Sequence, residues 1–493
     1  MKAINSRTPL LHREKVDEEE SVKPTFLFHS LARRFPGVVK ASTAAFAFVV
    51  VAGITVGWLG TASSKMTRSL PLLFGDDNLD NLGVQGLQAR IYVYEDVAQV
   101  FKESVDCVGK GNVENNVDFQ HLSDFEFYKA MLTHPTRVLD PANANMFYMP
   151  MFIAHSAMSE HLTDRCPAMG SHADRVARVT SLLQSSQWYQ RSKGLDHFTV
   201  FTYWDGGRLN IGNDIASEFR NIVIGWMEVS DDQHLVIPLA RHIFEVPYFV
   251  KQYGFVSSLT KVYNFEYLGT TGESSTPLAC SAGSIAIRTC LCEIRPAELE
   301  QLSVRVECLI REGHSQFVAD HNKQARYMQL SHYCVVMRGD TLSSARLYAA
   351  IANDCVPVII SDGSKGAFVE AGLDWSKFSV RIPETNFARD PVGSLKQVLA
   401  TYEVPAVAGT KGAELLRQLR LAKQDLLWDI PGSRVVTHII SEVKFAILKK
   451  PHAYSKTVCV EGPGVHLGGK DCRREWSDEV SRITPGAAET ERK

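Results

Sequence analysis

The chain has 493 residues, 53 Lys plus Arg against 55 Asp plus Glu, a formal net charge of −2, 45% hydrophobic residues and 10 Cys. That balance excludes a disordered chain, which needs low hydrophobicity and high net charge, and a small disulfide scaffold, in which Cys is far denser. It also gives no global reason to expect nucleic acid as a partner.

Residues 1–40 are polar and include the acidic run Asp17, Glu18, Glu19 and Glu20; they read as a cytosolic tail. Residues 41–64 (ASTAAFAFVVVAGITVGWLGTASS) contain no charged side chain. About 20 residues at ~1.5 Å rise cross a hydrocarbon core of roughly 30 Å. Arg33, Arg34 and Lys40 precede the segment, Lys65 and Arg68 follow it, and Trp58 falls where an interfacial aromatic belongs. The alternatives are a buried core helix and a cleavable signal peptide. A signal peptide starts close to a short basic leader, whereas here the whole polar tail comes first. The expected topology is a single uncleaved transmembrane anchor, with the N-terminus in the cytosol and a large lumenal or extracellular body.

All the cysteines follow the anchor, where an oxidising compartment allows pairing. Cys280, Cys290, Cys292 and Cys308 form a cluster suggestive of pairing. Cys334 and Cys355 sit in apolar strand-like runs and are expected as buried thiols. There is no CxxC, which argues against a zinc ribbon or a thioredoxin-type site. No Asn-x-Ser/Thr sequon occurs.

Residues 65–88 read as a stem rich in Ser, Gly, Asp and Asn. A strand signal begins at ARIYVYE from Ala89. Further strands are expected at Met146–Phe152, Phe198–Tyr203, Ile222–Trp226 and Leu235–Pro238, with helices over Ala154–Arg165 and Ala173–Gln184 between them. The pattern restarts after about Tyr253. Strands are then expected at Phe265–Gly269, Tyr333–Met337, Val356–Ile360 and Phe378–Ile382. The helices expected there cover Ala297–Gly313, Ser343–Asn353, Ser394–Tyr402, Ala413–Trp428 and Arg434–Lys449. Alternating strands and helices predict βαβ units and mostly parallel sheets. An unbroken apolar run such as CVPVII suits a strand covered on both faces. The expected division is an N-terminal Rossmann-like domain over 89–252, a second over 253–455, and a peripheral tail over 456–493.

The stretch richest in chemistry is His332–Asp362, HYCVVMRGDTLSSARLYAAIANDCVPVIISD, which reads as strand, loop, helix, strand. Gly339 sits in the turn, and Ser343 or Ser344 can cap the helix, whose apolar stripe is Leu347, Ala350 and Ile351. A helix N-terminus behind a Gly and Ser loop offers free N–H groups and a positive dipole end, and Arg338 and Arg346 add fork-shaped positive charge. Such a loop suits a diphosphate at the carboxyl end of a parallel strand; an ordinary N-cap flanked by two solvated arginines is the alternative. Arg338-Gly339-Asp340 is formally an adhesion tripeptide, but between a buried strand and a helix it is not presented on a loop tip.

RGDTLSSARLYAAIANDCVPVIISD resembles the signature of the exostosin family of glycosyltransferases. RIYVYE (90–95) resembles that family's opening strand, RVLDPANANMFYMPMF (137–152) its "DP..AD.FFVP" segment, and SQWYQRSKGLDHFTVFTYWDGG (186–207) its "W.RS.GRDHF" segment. HLVIPL (234–239) resembles its "DVVIPP" strand, and DWSKFSVRIPE (374–384) follows the signature. The resemblance implies a type II Golgi membrane protein whose lumenal body has the GT-B fold, two Rossmann-like domains facing a cleft. The implied reaction is inverting transfer from a nucleotide sugar, usually UDP-linked, to a glycan hydroxyl of a wall or matrix polysaccharide. The implied partners are a glycan acceptor, the membrane, and related transferases in a homo- or hetero-oligomer.

Such a reaction needs charge stabilisation of the departing diphosphate and a general base on the opposite face of the sugar. No Asp-x-Asp motif occurs; the nearest, Asp124-Phe125-Glu126, reads as a helix surface, and no metal is expected. Arg338, Gly339, Ser343, Ser344 and Arg346 are the expected phosphate grip, with Glu370 a further donor-side carboxylate. Asp196 and His197 are the candidate base, or else a strand-leading pair that orients a loop. The chain departs from the family pattern at Ala345 and Ala349; an acid at position 349 is expected to hold the donor's ribose. A catalytically silent partner of an active transferase is therefore the second reading. Gly464-x4-Gly469-Lys470 resembles a P-loop, but Asp471 stands where Ser or Thr is required.

Overall fold

The chain divides into two units, Met1–Leu70 and Pro71–Lys493. A computed structural model describes residues 88–109, 120–161, 170–202, 221–227, 242–250, 260–273, 279–283, 285–311, 321–339, 342–369, 371–449, 454–461 and 470–477, all in the second unit. The expected anchor at 41–64, the tail before it, the HLVIPL strand, the P-loop-like segment up to Gly469 and Glu370 lie outside the described residues. Among the described residues no helix is long and apolar enough to cross a membrane.

Two parallel sheets carry the body. The first contains β1 (Ile91–Val93), β2 (Arg137–Val138), β3 (Met146–Tyr148), β4 (His197–Phe201), β5 (Val223–Trp226) and β6 (His242–Glu245), in the order β2-β1-β3-β4-β5-β6. Between its strands run α1 (Glu95–Gly109), α2 (Ser123–Thr133), α3 (Ile153–His161), α4 (His172–Ser185) and α5 (Gln187–Ser192). The start of α4 is set by a capping box, in which Ser171 and Asp174 satisfy each other's backbone N–H groups.

The second sheet contains β7 (Tyr263–Glu273), β8 (Val304–Arg311), β9 (Ser331–Met337), β10 (Val356–Ile360) and β11 (Val380–Arg381), in the order β11-β10-β9-β7-β8. Its helices include α6 (Pro296–Gln301), α7 (His321–Gln329), α8 (Ala345–Ala352), α9 (Pro391–Tyr402), α10 (Lys411–Leu426) and α11 (Val435–Lys444). Every residue of β9 and β10 is buried, as their unbroken apolar runs predict. One continuous cluster of buried side chains runs through both sheets. A final antiparallel pair, β12 (Tyr454–Glu461) and β13 (Lys470–Ser477), places Cys459 opposite Cys472.

Three sequence expectations are corrected here. The helix expected over Ala297–Gly313 stops at Gln301; Ser303 takes a positive φ of 53°, and the alternating VRVEC of β8 pairs with β7 as a strand. Cys334 and Cys355 are not thiols but a disulfide with Cα atoms 5.6 Å apart, since pairing of β9 with β10 brings them together. Asp124, expected on a helix surface, is fully buried. The clustered cysteines pair as Cys280–Cys290 and Cys292–Cys308.

Candidate functional site

In the second sheet the chain reverses its direction of winding between β7 and β9, which are neighbours. Open parallel sheets bind ligands outside the carboxyl ends of strands at such a switch point. Arg338 and Gly339, just after β9, and Leu342–Ser344, just before α8, occupy that place. Gly339 N–H donates to the Ser343 carbonyl at 3.2 Å. A Cβ on Gly339 would lie 2.4 Å from that oxygen, so only glycine fits. Ser344, in extended conformation, caps α8 by accepting from Arg346 N–H at 3.4 Å. Ser361 Oγ, beyond β10, holds the Leu342 carbonyl at 2.7 Å.

Two guanidinium groups flank this loop. Arg338 is partly exposed, with Nη1 3.8 Å from Glu384 Oε1 and a buried Nε that has no protein partner. Glu384 braces the surroundings by accepting from Gly283 N–H at 2.5 Å and Asp362 N–H at 2.9 Å. The second group is Arg288, which the sequence reading missed. Its Nε donates to the Arg338 carbonyl at 2.8 Å, and its Nη2 lies 3.7 Å from the position of a Cβ on Gly339. Its position within the Cys280–Cys308 cluster was the available signal, because the Cys280–Cys290 disulfide spans the helical turn that carries it and Cys292–Cys308 follows directly.

Arg346 belongs elsewhere, which corrects its expected role in the phosphate grip. Its three donor nitrogens go to the Val335 carbonyl at 2.9 Å, the Leu268 carbonyl at 2.7 Å and Glu266 Oε1 at 2.5 Å. The guanidinium also lies over the Tyr267 ring, at 5.1 Å from its centroid. It therefore ties α8 to the sheet beneath rather than facing the loop mouth. Burial pushes the Glu266 carboxyl up, and the Arg346 charge pulls it back only in part. Ser343 is buried, its hydroxyl 2.8 Å from that of Tyr248.

Asp196 and His197 are likewise corrected as a cleft-facing base. They stand at the amino end of β4, away from the carboxyl edge. His197 is 0% exposed and stacks on Phe147 at 4.8 Å. Both ring nitrogens are engaged, Nδ1 with Asp196 Oδ1 at 2.7 Å and Nε2 with the Tyr94 hydroxyl at 3.1 Å. Burial lowers the His197 pKa against the pull of Asp196. Asp196 also accepts from Ser192 Oγ and, at 2.9 Å, from Arg191 Nη2. Burial opposes its ionisation, yet the bonds from His197, Ser192 and Arg191 hold its carboxyl below the ordinary value. The pair orients the turn between α5 and β4.

A second buried polar group lies near the carboxyl edge of the first sheet. Asp124 Oδ1 stands 3.9 Å from His155 Nδ1, beyond hydrogen-bond distance, and Asp124 Oδ2, His155 Nδ1 and the Tyr148 hydroxyl make no hydrogen bond. Burial drives the Asp124 carboxyl well up. It drives His155 down to about 3, with a contribution from His121, which burial itself lowers to about 4. Among the described residues the one cluster with metal-ligand spacing is Glu266, Cys334 and Cys355. Its two sulfurs are bonded to each other, which removes the thiolates a metal would need.

The geometry can be set beside known proteins. The family model described as "Exostosin GT47 domain" matches residues 86–399. The chain is 26% identical over 302 residues to "Probable arabinosyltransferase ARAD1" of Arabidopsis thaliana, covering 61% of each chain. It is 23% identical over 336 residues to a probable glucuronoxylan glucuronosyltransferase of the same organism, covering 63% of each. Over 83 residues, 17% of this chain and 10% of the other, it is 39% identical to "Exostosin-2" of Homo sapiens. The chain thus spans less than two-thirds of the length of these relatives. A solved structure of the pneumococcal O-GlcNAc transferase GtfA with UDP and GlcNAc matches at a TM-score of 0.31 and 10% identity, over 55% of this chain and 60% of that one.

Proposed function

The chain belongs to the exostosin GT47 domain family of glycosyltransferases, and on that premise we propose that it is a single-pass type II Golgi enzyme, anchored by residues 41–64, that transfers a sugar with inversion from a UDP-linked donor to a wall or matrix glycan. The observation that carries the donor side is the convergence of Arg338, Arg288, Gly339, Ser343 and the start of α8 at the switch point of the second sheet. In this reading the two parallel sheets are the two halves of a GT-B body.

As the acceptor hydroxyl attacks the anomeric carbon, the bond to the diphosphate breaks and negative charge grows on the leaving oxygens. Two fixed guanidinium groups and the N–H groups of a helix start answer that charge without reorganising. The proton of the acceptor passes to a base on the first-sheet side. The relatives' names point to pentosyl, hexosyl or uronosyl donors for this chain as well. A complex with related transferases is part of the proposal.

Ala349 favours one competing reading, a silent subunit that scaffolds an active transferase. Titration of the full-length chain in detergent with UDP and a panel of UDP-sugars separates the two. Binding, with UDP release on addition of glycan acceptors, is the expected result. A chain that binds no nucleotide and releases none would overturn the enzyme reading.

A further inference from the structure

Glu384 opens the short helix Glu384–Arg389 that follows β11, and its side chain is buried. Both carboxylate oxygens accept from backbone: Oε2 from Gly283 N–H at 2.5 Å, inside the Cys280–Cys290 disulfide loop, and Oε1 from Asp362 N–H at 2.9 Å, just beyond β10. The Asp362 carboxylate answers by accepting from Glu384 N–H at 3.2 Å. Arg338, at the end of β9, is pinned along its backbone. Its N–H donates to the Ile360 carbonyl at 3.2 Å, and its carbonyl accepts from Arg288 Nε at 2.8 Å. Its Nη1 stands 3.8 Å from Glu384 Oε1, an ion pair beyond hydrogen-bond distance, and its buried Nε makes no hydrogen bond. The carboxyl ends of β9, β10 and β11 and one disulfide loop thus converge on a single carboxylate.

We propose that Glu384 is a positioning residue for the donor, a fixed negative charge that aims the Arg338 guanidinium at the place of the diphosphate. The proposal rests on the nucleotide-sugar reading. With the Arg338 backbone pinned, the direction of its long side chain is what remains to be set, and an arginine has many rotamers to lose. A carboxylate bonded to the guanidinium fork in the usual bidentate way would consume the donors that a phosphate needs. At 3.8 Å the attraction is charge alone and uses none of them. The carboxylate does not follow the side chain it aims, because both its oxygens are held by backbone N–H groups. A negative charge so close to the site also repels a diphosphate. Positioning and repulsion therefore predict opposite signs when that charge is removed.

The test uses Glu384→Gln, Arg338→Ala and the double variant in the full-length chain, with UDP affinity by calorimetry, donor KM and kcat, and thermal unfolding. Glu384→Gln keeps the length of the side chain and removes its charge. It is expected to weaken UDP binding and raise donor KM about three- to ten-fold, with kcat at saturating donor within about twofold. On the Arg338→Ala background the same change is expected to alter affinity by less than about twofold, because Glu384 acts through Arg338. A merely structural role would not produce that dependence. Unaltered or tighter UDP binding in Glu384→Gln, or losses that add in full in the double variant, would overturn the role. The wild-type chain supplies a reading that needs no folded variant: hydrogen exchange in the peptides containing Gly283 and Asp362 is expected to slow when UDP is bound, because the ligand holds Arg338 against Glu384. Exchange there that is indifferent to bound UDP overturns the role as well. A wild-type chain that binds no UDP sinks the nucleotide-sugar reading and this one together, whereas equal binding by wild type and Glu384→Gln sinks only this one.

Discussion

Arg346 donates to Glu266 at 2.5 Å beneath α8, and the pair joins a helix to a strand that is separated from it by 80 residues of sequence. Both side chains are buried, and the remaining guanidinium donors satisfy carbonyls of β7 and β9. Removing one member of a buried pair leaves the other uncompensated. Arg346→Ala is therefore expected to cost about 3–5 kcal/mol in denaturant unfolding. Arg346→Lys is expected to restore little of it, because one ammonium cannot serve three separated acceptors in a plane.

Arg338 and Arg288 behave oppositely. Each lies beside the loop with part of its surface open, so Arg338→Ala or Arg288→Ala is expected to leave the fold intact. UDP affinity, read by calorimetry, is expected to fall about 10- to 100-fold for either, as for loss of a charge-assisted bond. The loss shrinks as salt is raised. A chain that bound UDP equally well without both arginines would place the donor elsewhere.

Asp196→Ala is expected to lower stability and leave turnover per folded molecule intact. The folded carboxyl titrates below its unfolded value of about 3.9. Its contribution is thus present above that value and is lost as pH falls through the folded one. Unfolding midpoints from pH 3 to 7 should converge for wild type and variant at the acid end. A collapse of kcat in a fully folded variant would return Asp196 to the chemistry.

His121 and His155 titrate near 4 and 3 when folded, against about 6.5 when unfolded. Between about pH 6.5 and 4 the unfolded chain binds the additional protons, so stability should fall as pH falls through that window. The raised Asp124 carboxyl has the opposite sign, losing stability as pH rises through its folded value. Asp124→Asn should therefore steepen the rise of stability with pH, and His155→Gln should flatten it. Chemical unfolding at half-unit pH steps reads both slopes.

Much of the fold was legible because burial on both faces writes itself as unbroken apolar residues. Val356–Ile360 was located to the residue for that reason. The half-buried β8 was not, because its alternation overlaps a helical spacing until Ser303 breaks the helix. The loop at Gly339 was legible from strand, glycine and caps. The direction of a guanidinium was not: Arg338 and Arg346 look alike in sequence, and only the neighbouring β7, which supplies Glu266 and the Leu268 carbonyl, turns Arg346 inward. Arg288 comes from a turn fixed by disulfides whose connectivity a sequence does not state. The pairing of Cys334 with Cys355 needed strand neighbours, and the Asp196–His197 pair needed the register that places it at the amino end of β4.

The Cys334–Cys355 bond has a topological effect. It closes a covalent ring across a sequence separation of 21, and the connection after β9 together with all of α8 lies inside that ring. In the unfolded chain such a ring removes conformational freedom equivalent to about 3 kcal/mol, so this stretch starts folding partly confined. Both sulfurs are shielded from solvent, whereas Cys292 of a neighbouring disulfide is exposed. Mild reductant is therefore expected to open Cys292–Cys308 before Cys334–Cys355. A peptide bond cut within the ring leaves its two ends joined, so a nicked connection between β9 and β10 stays attached to both strands that frame it.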